Sequence, residues 1–280
     1  MTIVEYDSSR RADVAELMAR VWGQRPDERE LEWFYERNPV RPASVLLGED
    51  GGRVIATVAI SFQRMTIGGD EVEVGMPLRV ATDGAYRGQG IFGKLQAANE
   101  ERVRELGIRL LLTVPNAASA PVFLERLGWQ PLPSLRVWAR PKLLPSRLRT
   151  PRVDRFDGRE TERYAPDGDA VLRDEAWLNW RFAEAPRPFT LLAGEGYAAV
   201  GRRGRVGVVA AVNGDLLADA AAAAGGPALI ASPPPWQRRR YLLAGYLPTP
   251  RTFTVLGKAL ATGQAVPARP HFELGDLDFV

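Results

Sequence analysis

The sequence predicts a mixed α+β protein of two domains, and three observations carry that prediction. At 280 residues the chain exceeds one ordinary domain, so two compact units are the default. Helical periodicity near the N-terminus gives way to apolar runs separated by glycine turns, then to a long helix, the order of a sheet with helices packed on it. A pattern in the first half returns in the second.

Taken in order, Thr2 to Tyr6 reads as a strand, Arg10 to Trp22 as a helix, and Glu28 to Arg37 as a second helix stopped by Asn38-Pro39. Ala43 to Gly48 and Val54 to Phe62 are strands flanking the turn Glu49 to Gly52, and Gly68-Gly69 turns the chain into Glu71 to Thr82. Together these make an antiparallel meander. A long helix over Gly88 to Leu106 follows, then a buried strand Arg109 to Val114, a short helix Ala120 to Leu127 and a closing strand Trp129 to Trp138. Residues 139–151 carry three prolines among basic and apolar residues and read as a linker, dividing a domain over 1–138 from one over 152–280.

The repeat crosses that boundary. Leu31-x-Trp33-x-Tyr35-x-x-x-Pro39 is matched by Leu178-x-Trp180-x-Phe182-x-x-x-Pro186, and Gly128-Trp129-Gln130-Pro131 by Gly245-Tyr246-Leu247-Pro248. The spacing between these anchors is about thirty residues shorter in the second copy, in the region that carries a glycine-rich segment in the first. Trp33, Trp138, Trp177 and Trp180 fall on apolar patterns and read as core anchors.

Composition narrows the chemistry. With no cysteine and a single histidine, His271, the chain has no disulfide framework, thiolate nucleophile or Cys/His zinc site. Direct transfer between bound substrates, or chemistry resting on carboxylates, hydroxyls and backbone donors, is expected, without a metal. His271 reads as an edge residue rather than a base. Thirty-seven basic against 34 acidic residues leave +3, too little to establish a nucleic-acid footprint. Arg238-Arg239-Arg240 and Arg202-Arg203-x-Arg205 read as solvated faces. No apolar run reaches the length of a membrane span, and charge in the first residues argues against a signal peptide. The expectation is a cytoplasmic protein.

The segment Ala81-Thr-Asp-Gly-Ala-Tyr-Arg87-Gly-Gln-Gly-Ile-Phe-Gly93-Lys94 ends a strand and opens a helix. Glycines at 88, 90 and 93 let the backbone turn and approach a ligand closely. The first amides of a helix lack intrahelical acceptors and sit at the positive end of its dipole, so an anion is favoured there, and a pyrophosphate is a natural occupant. Arg87 and Lys94 add positive charge. Gly93-Lys94 is followed by leucine, which rejects a Walker loop. A formal G-x-G-x-x-G is present, but it follows an antiparallel meander and not the parallel opening of a dinucleotide fold.

Tyr86-Arg87-Gly88-Gln89-Gly90-Ile91-Phe92 resembles the pyrophosphate loop of the GNAT N-acetyltransferases, and the element order over about 135 residues resembles that family too. The resemblance implies two GNAT-like domains, each a mostly antiparallel central sheet flanked by helices, the second degenerate and without the loop. It implies acetyl-CoA or another acyl-CoA as co-substrate. Arg87, Gly88, Gln89, Gly90, Ile91, Phe92 and Gly93 would hold its pyrophosphate, Val80, Ala81 and Thr82 its pantetheine, and Asn116 and Ser119 would line the cofactor arm. The implied reaction is N-acylation of a small-molecule amine in a ternary complex, by a monomer or homodimer, without membrane or nucleic-acid partner. Where many members carry a glutamate base this chain has Leu78, and where many carry a tyrosine acid it has Leu124.

Freeing the lone pair of an alkylamine of pKa near 10.4 costs about 4 kcal/mol at neutral pH. Glu73, on the strand approaching the loop, and Asp276 and Asp278, in the C-terminal Leu274 to Phe279, are the candidate carboxylates. A weakly basic acceptor such as an aryl amine or hydrazine needs no strong base. Two alternatives remain open: a non-catalytic acyl-CoA sensor, suggested by Leu78 and Leu124, and transfer from an aminoacyl-tRNA, which the arginine clusters permit.

Overall fold

In the computed structural model, residues 1–142, 147–161 and 168–277 are described. They form two compact units, each assembled from separate stretches of chain.

The first unit comprises Met1–Arg64, Val72–Leu132 and Val255–Pro267. Strand β1 (Thr2–Glu5) leads into α1 (Arg11–Trp22), which buries Val14, Ala15, Leu17 and Met18 and ends where Gly23 takes a left-handed φ of 74°. Helix α2 (Glu28–Tyr35) starts at Asp27, whose carboxylate accepts from Arg29 N at 2.9 Å. Strands β2 (Ser44–Asp50), β3 (Arg53–Ile67) and β4 (Asp70–Thr82) form the meander. Its two hairpins turn on Gly51-Gly52 and Gly68-Gly69, all at positive φ, as two-residue turns that match strand twist require. Helix α3 (Ile91–Glu105), β5 (Leu110–Thr113), α4 (Ala120–Arg126) and β6 (Gln130–Pro141) follow. Strand β5 runs parallel to β4, through Val74↔Leu110 and Gly75↔Leu111.

The second unit takes in residues 65–71, Pro133–Thr254 and the chain from Ala268 onward. Its elements are β7 (Arg152–Val153), β8 (Ala170–Val171), α5 (Glu175–Leu178) continued by a π-helical turn over Asn179–Ala183, β9 (Thr190–Ala193), β10 (Tyr197–Arg203), β11 (Val206–Val212), α6 (Leu217–Ala223), β12 (Ala228–Ala231), α7 (Arg238–Leu243) and β13 (Leu247–Ala259). The sheet runs β6-β12-β11-β10-β9-β7, with β12 parallel to β11 and the other ladders antiparallel. From α5 to β13 the order of elements is that of α2 to β6, down to the single parallel pair.

The last strand of each copy explains why a cut at residues 139–151 and the compact units do not coincide. Strand β6 continues through Pro141 because Trp138–Pro141 pair with Ala228–Ala231 of the second unit. The end of β13 pairs Leu256–Ala259 with Leu110–Thr113 of β5, inside the first. Such pairings join residues far apart in sequence, Trp138 with Ala231 and Leu110 with Ala259, so composition gives no sign of them. Residues 143–146 of the expected linker lie outside the described residues. The shortening of the second copy is spread out: β10 and β11 have 7 residues each against 15 and 13 in β3 and β4, and α6 has 7 against 15 in α3. Trp33, Trp138, Trp177 and Trp180 are all buried.

Beneath the second sheet lies a charged cluster. Arg173 holds Asp276 by two bonds (Nε–Oδ1 2.9 Å, Nη2–Oδ2 2.5 Å) and Glu273 at 3.0 Å, all three side chains being buried. Burial pushes the Glu273 carboxyl up to about 7 against the pull of Arg173. His271, also buried, bonds through Nε2 to Ser232 O at 3.1 Å. Burial, reinforced by Arg173, pushes its imidazole down to about 3.

Two stability predictions follow from the chemistry of this cluster. Arg173→Leu strands two buried carboxyls, and denaturant unfolding should show a loss of about 3–5 kcal/mol. For His271 the folded state binds fewer protons than the unfolded state between pH 6.5 and about 3. Its contribution is therefore complete above 6.5 and is lost as pH falls, by about 1.4 kcal/mol per unit. The stability difference between the protein and its His271→Gln variant, followed by urea melts across that window, should shrink with that slope.

Candidate functional site

The loop between β4 and α3 is held from below by Asp83. Its N–H donates to Ile55 O at 2.8 Å, Oδ1 accepts from Ala85 N at 3.2 Å, and Oδ2 accepts from Arg20 Nε at 2.9 Å. The Arg20 guanidinium, then the Ala85 N–H, hold its carboxyl below the usual carboxylate range. Gly84–Tyr86 form a 3-10 turn on this cap, and Tyr86 Oη donates to Asp50 at 2.9 Å. Arg87 lies exposed, its Nε 3.4 Å from Thr82 O.

Beyond that turn, Gly88 and Gly90 adopt φ of 77° and 74°. The left-handed Gly90 is the N-cap, so α3 begins at Ile91 and not at Gly88 as periodicity suggests. No side chain caps this helix. Lys94 N donates to Gly90 O at 3.1 Å, whereas the amides of Ile91, Phe92 and Gly93 precede any intrahelical acceptor. A Cβ at Gly88 or Gly90 would meet nothing within 4 Å, so the protein leaves the space in front of this turn clear. Gly93 differs: its φ is ordinary, and a Cβ there would touch Val122 at a comfortable 3.8 Å. Ile91 is buried, and the Phe92 ring packs edge-on to Phe123 at 5.4 Å, so both turn their side chains to the core and keep only backbone at the loop.

Strand β4 is broken at its loop end. Arg79 takes φ 51°, a left-handed conformation for a non-glycine residue, with its guanidinium on Glu30 (2.5 Å) and over the Phe34 ring (4.6 Å). The ladder to β5 stops at Gly75↔Leu111, with a last tie from Thr113 Oγ1 to Pro77 O at 3.1 Å. Val80, Ala81 and Thr82 therefore run to the loop with no ladder to β5. Asn116, just past β5, accepts through Oδ1 from Ala118 N, Ser119 N and Ser119 Oγ at 2.9–3.1 Å. These bonds start α4 and keep Asn116 and Ser119 beside each other.

The loop, the end of β4 and the Asn116 turn thus belong to one unit. The proposed bases do not join them. Glu73 stands at the far end of β4, roughly 30 Å of strand from Thr82, in an ion pair with Arg41 (Nε–Oε1 2.5 Å, Nη2–Oε2 2.8 Å). The sequence placed Glu73 on the right strand, but strand rise and the Arg41 partner remove it from the loop. Asp276 is held by Arg173 in the other unit and also accepts from Glu273 N at 2.7 Å, so both its oxygens are engaged in the structure of that unit. Asp278 lies outside the described residues. Leu78 is partly buried and Leu124 is 38% exposed. The Arg79 bend and the Asp83 anchor were missed in the sequence. Asp83 had a legible signal, since Asp before Gly-Ala starts turns; nothing local marks Arg79.

The stretch that carries the meander, the bent fourth strand, the parallel fifth strand and the glycine-opened helix is the one that a known family model covers. The family model described as "Acetyltransferase (GNAT) domain" matches residues 2–132. Solved structures agree on the fold. A GCN5-related N-acetyltransferase from Kribbella flavida superposes with a TM-score of 0.68 at 16% identity, covering 96% of this chain and 73% of that one. One from Anabaena variabilis ATCC 29413 gives 0.68 at 12% identity, covering 96% and 75%. Eis1 from Mycobacterium abscessus gives 0.61 at 15%, covering 91% and 73%. Comparison with curated proteins finds no match.

Asp83 is the support on which the loop geometry rests. Asp83→Ala should cost about 1–2 kcal/mol, the worth of a cap. Hydrogen exchange should accelerate at amides 84–90 while the α3 core from Leu95 to Val103 keeps its protection.

Proposed function

We propose that the chain is an acyl-CoA-dependent N-acyltransferase, with acetyl-CoA as donor, that acylates a small-molecule amine by direct transfer in a ternary complex. The observation that carries this reading is the set of unengaged amides opening α3, faced by clear space at Gly88 and Gly90 and flanked by Arg87 and Lys94. Amides and dipole at that point favour a diphosphate. The backbone of Val80 to Thr82 suits the amide groups of a pantetheine arm, as a strand edge suits any extended chain. Asn116 and Ser119 lie on the same side of the chain's crossover from β5 to α4.

The amine then attacks the thioester carbonyl, the thiolate leaves, and the ammonium proton departs by way of water. With leucine at 78 and 124, Glu73 paired to Arg41, and Asp276 buried, the reading favours an acceptor whose amine is already neutral at working pH, an aryl amine or a hydrazine. The second half of the chain, with the same element order and the short turn Asn213–Leu216 in place of the loop, reads as a degenerate GNAT-like copy that holds no acyl-CoA. Leu78 and Leu124 also favour a second reading, a protein that binds acyl-CoA without turning it over.

Calorimetric titration with acetyl-CoA tests the common ground of both. Gly90→Val forces a β-branched residue into left-handed space and should weaken binding by tenfold or more. Gly93→Ala, which needs no unusual φ and finds only Val122, should keep affinity within about threefold. Equal losses at both glycines, or no acetyl-CoA binding at all, would remove the loop as a cofactor site. Release of free thiol with aryl amines, at a rate exceeding that with alkylamines at neutral pH, separates the enzyme from the sensor.

A further inference from the structure

The second unit contains a cavity of about 330 Å³ that the reading above does not use. Arg136 from β6, Arg238 at the start of α7 and Arg269 from the C-terminal segment all line it, and among the described residues no aspartate or glutamate does. Among the described residues these three guanidinium groups have no ion pair and no hydrogen bond. The contrast within the same chain is informative: Arg10, Arg11, Arg20, Arg41 and Arg173 each face a carboxylate. Three like charges lining one concavity give it a positive potential that favours an anion there.

Ser232 supplies an independent observation. It is 2% exposed, it lines the cavity, and its hydroxyl has no hydrogen-bond partner among the described residues. Its own carbonyl is occupied by His271 Nε2 at 3.1 Å, which holds the residue by its backbone and leaves the hydroxyl unengaged. Pro233, Pro235 and Pro270 form part of the wall, and their locked φ angles keep it formed without a ligand. The volume is at the lower end of small-molecule pockets.

We propose that this cavity is a binding site for a compact polyanion, a small metabolite bearing two or more phosphate or carboxylate charges. Guanidinium groups take phosphate and carboxylate oxygens two at a time, which suits Arg136, Arg238 and Arg269 to either group. The Ser232 hydroxyl donates to an oxygen at the buried end. This assigns Arg238 a ligand role within a run of arginines that otherwise reads as a solvated face. The site is independent of the β4–α3 loop and stands whether or not that loop binds acyl-CoA.

The test uses the full chain carrying Gly90→Val, so that the loop does not contribute, in a buffer of fixed ionic strength. Inorganic pyrophosphate and citrate are titrated separately by calorimetry, which distinguishes a phosphate source from a carboxylate one. Saturable one-to-one binding of at least one of them is expected. Arg136→Gln, Arg238→Gln and Arg269→Gln should each weaken it about tenfold, and Ser232→Ala several-fold, while the same changes in the parent chain leave acetyl-CoA affinity unaltered. All three arginines are exposed, and unchanged circular dichroism and melting would show that the variants fold. Absence of saturable binding of both probes at millimolar concentration would overturn the proposal. So would binding that survives the triple replacement, or affinity for an RNA oligonucleotide that rises with its length and exceeds that for both probes.

Discussion

Helix α3 is positioned by polar side chains on its buried face as much as by apolar packing, and the loop at its N-terminus inherits that position. Asn99 donates to Ser44 O at 2.9 Å and accepts from Ser44 Oγ at 2.6 Å, tying the helix to β2. Glu100, 4% exposed, accepts from Trp129 Nε1 at 2.8 Å and from Lys258 Nζ at 2.5 Å. Apolar contacts alone tolerate sliding and rotation, whereas hydrogen bonds to a buried carboxylate specify one register. The free amides of Ile91 to Gly93 are useful as an anion site only if their direction is fixed. Lys258 comes from the far end of the chain, so the geometry of a loop near residue 90 depends on a strand near residue 258.

The second unit shows the same order of elements with the corresponding strand edge met by the chain itself. Strands β11 and β12 pair in parallel over Gly207–Val208 and Leu229–Ile230, as β4 and β5 do over two residues. Beyond that short ladder the C-terminal segment takes up the released edge. Gly275 lies so close to Ala210 O that a Cβ would come within 2.7 Å. Phe272, Leu274 and Leu277 are buried with it. In the first unit the equivalent stretch, Val80 to Thr82, carries no strand on the β5 side, and unsatisfied strand-edge amides need a partner from water or from a ligand.

Local elements were legible because their signals are local: paired glycines at 51-52 and 68-69, Asp27 before an amphipathic helix, and anchors such as Trp33 and Trp180. The loop was legible for the same reason, since three glycines between a strand and a helix have few other uses. Where reading failed, the deciding partner was distant. Glu73 lies nine positions before Thr82 in sequence, which looks close until the rise of an extended strand is applied. Asp276 looked like a free carboxylate because Arg173, a hundred residues away, gives no sign in its neighbourhood. The compact units do not follow one cut in the sequence because β6 and β13 each pair far along the chain, with β12 and with β5. The start of α3 slipped by three residues because a periodicity count cannot see that Gly90 is left-handed.

The arrangement of charge bears on what chemistry the fold can support. Near the β4–α3 loop the acids are committed: Asp83 to Arg20 and Arg53, Asp50 to Tyr86 and the N-terminus, and Glu30 to Arg79. Asp83, held below the usual carboxylate range by Arg20 and the Ala85 N–H, is a weaker proton acceptor than a free carboxylate. An acyltransfer site built among such groups gains its rate from positioning and from polarising the thioester, not from a strong base. Positioning alone can supply a large share of a transfer barrier when both reactants are bound, provided the nucleophile arrives with its lone pair available. On the function proposed above, the constraint would fall on the acceptor: the less basic its nitrogen, the less a site of this kind has to do beyond holding the donor still.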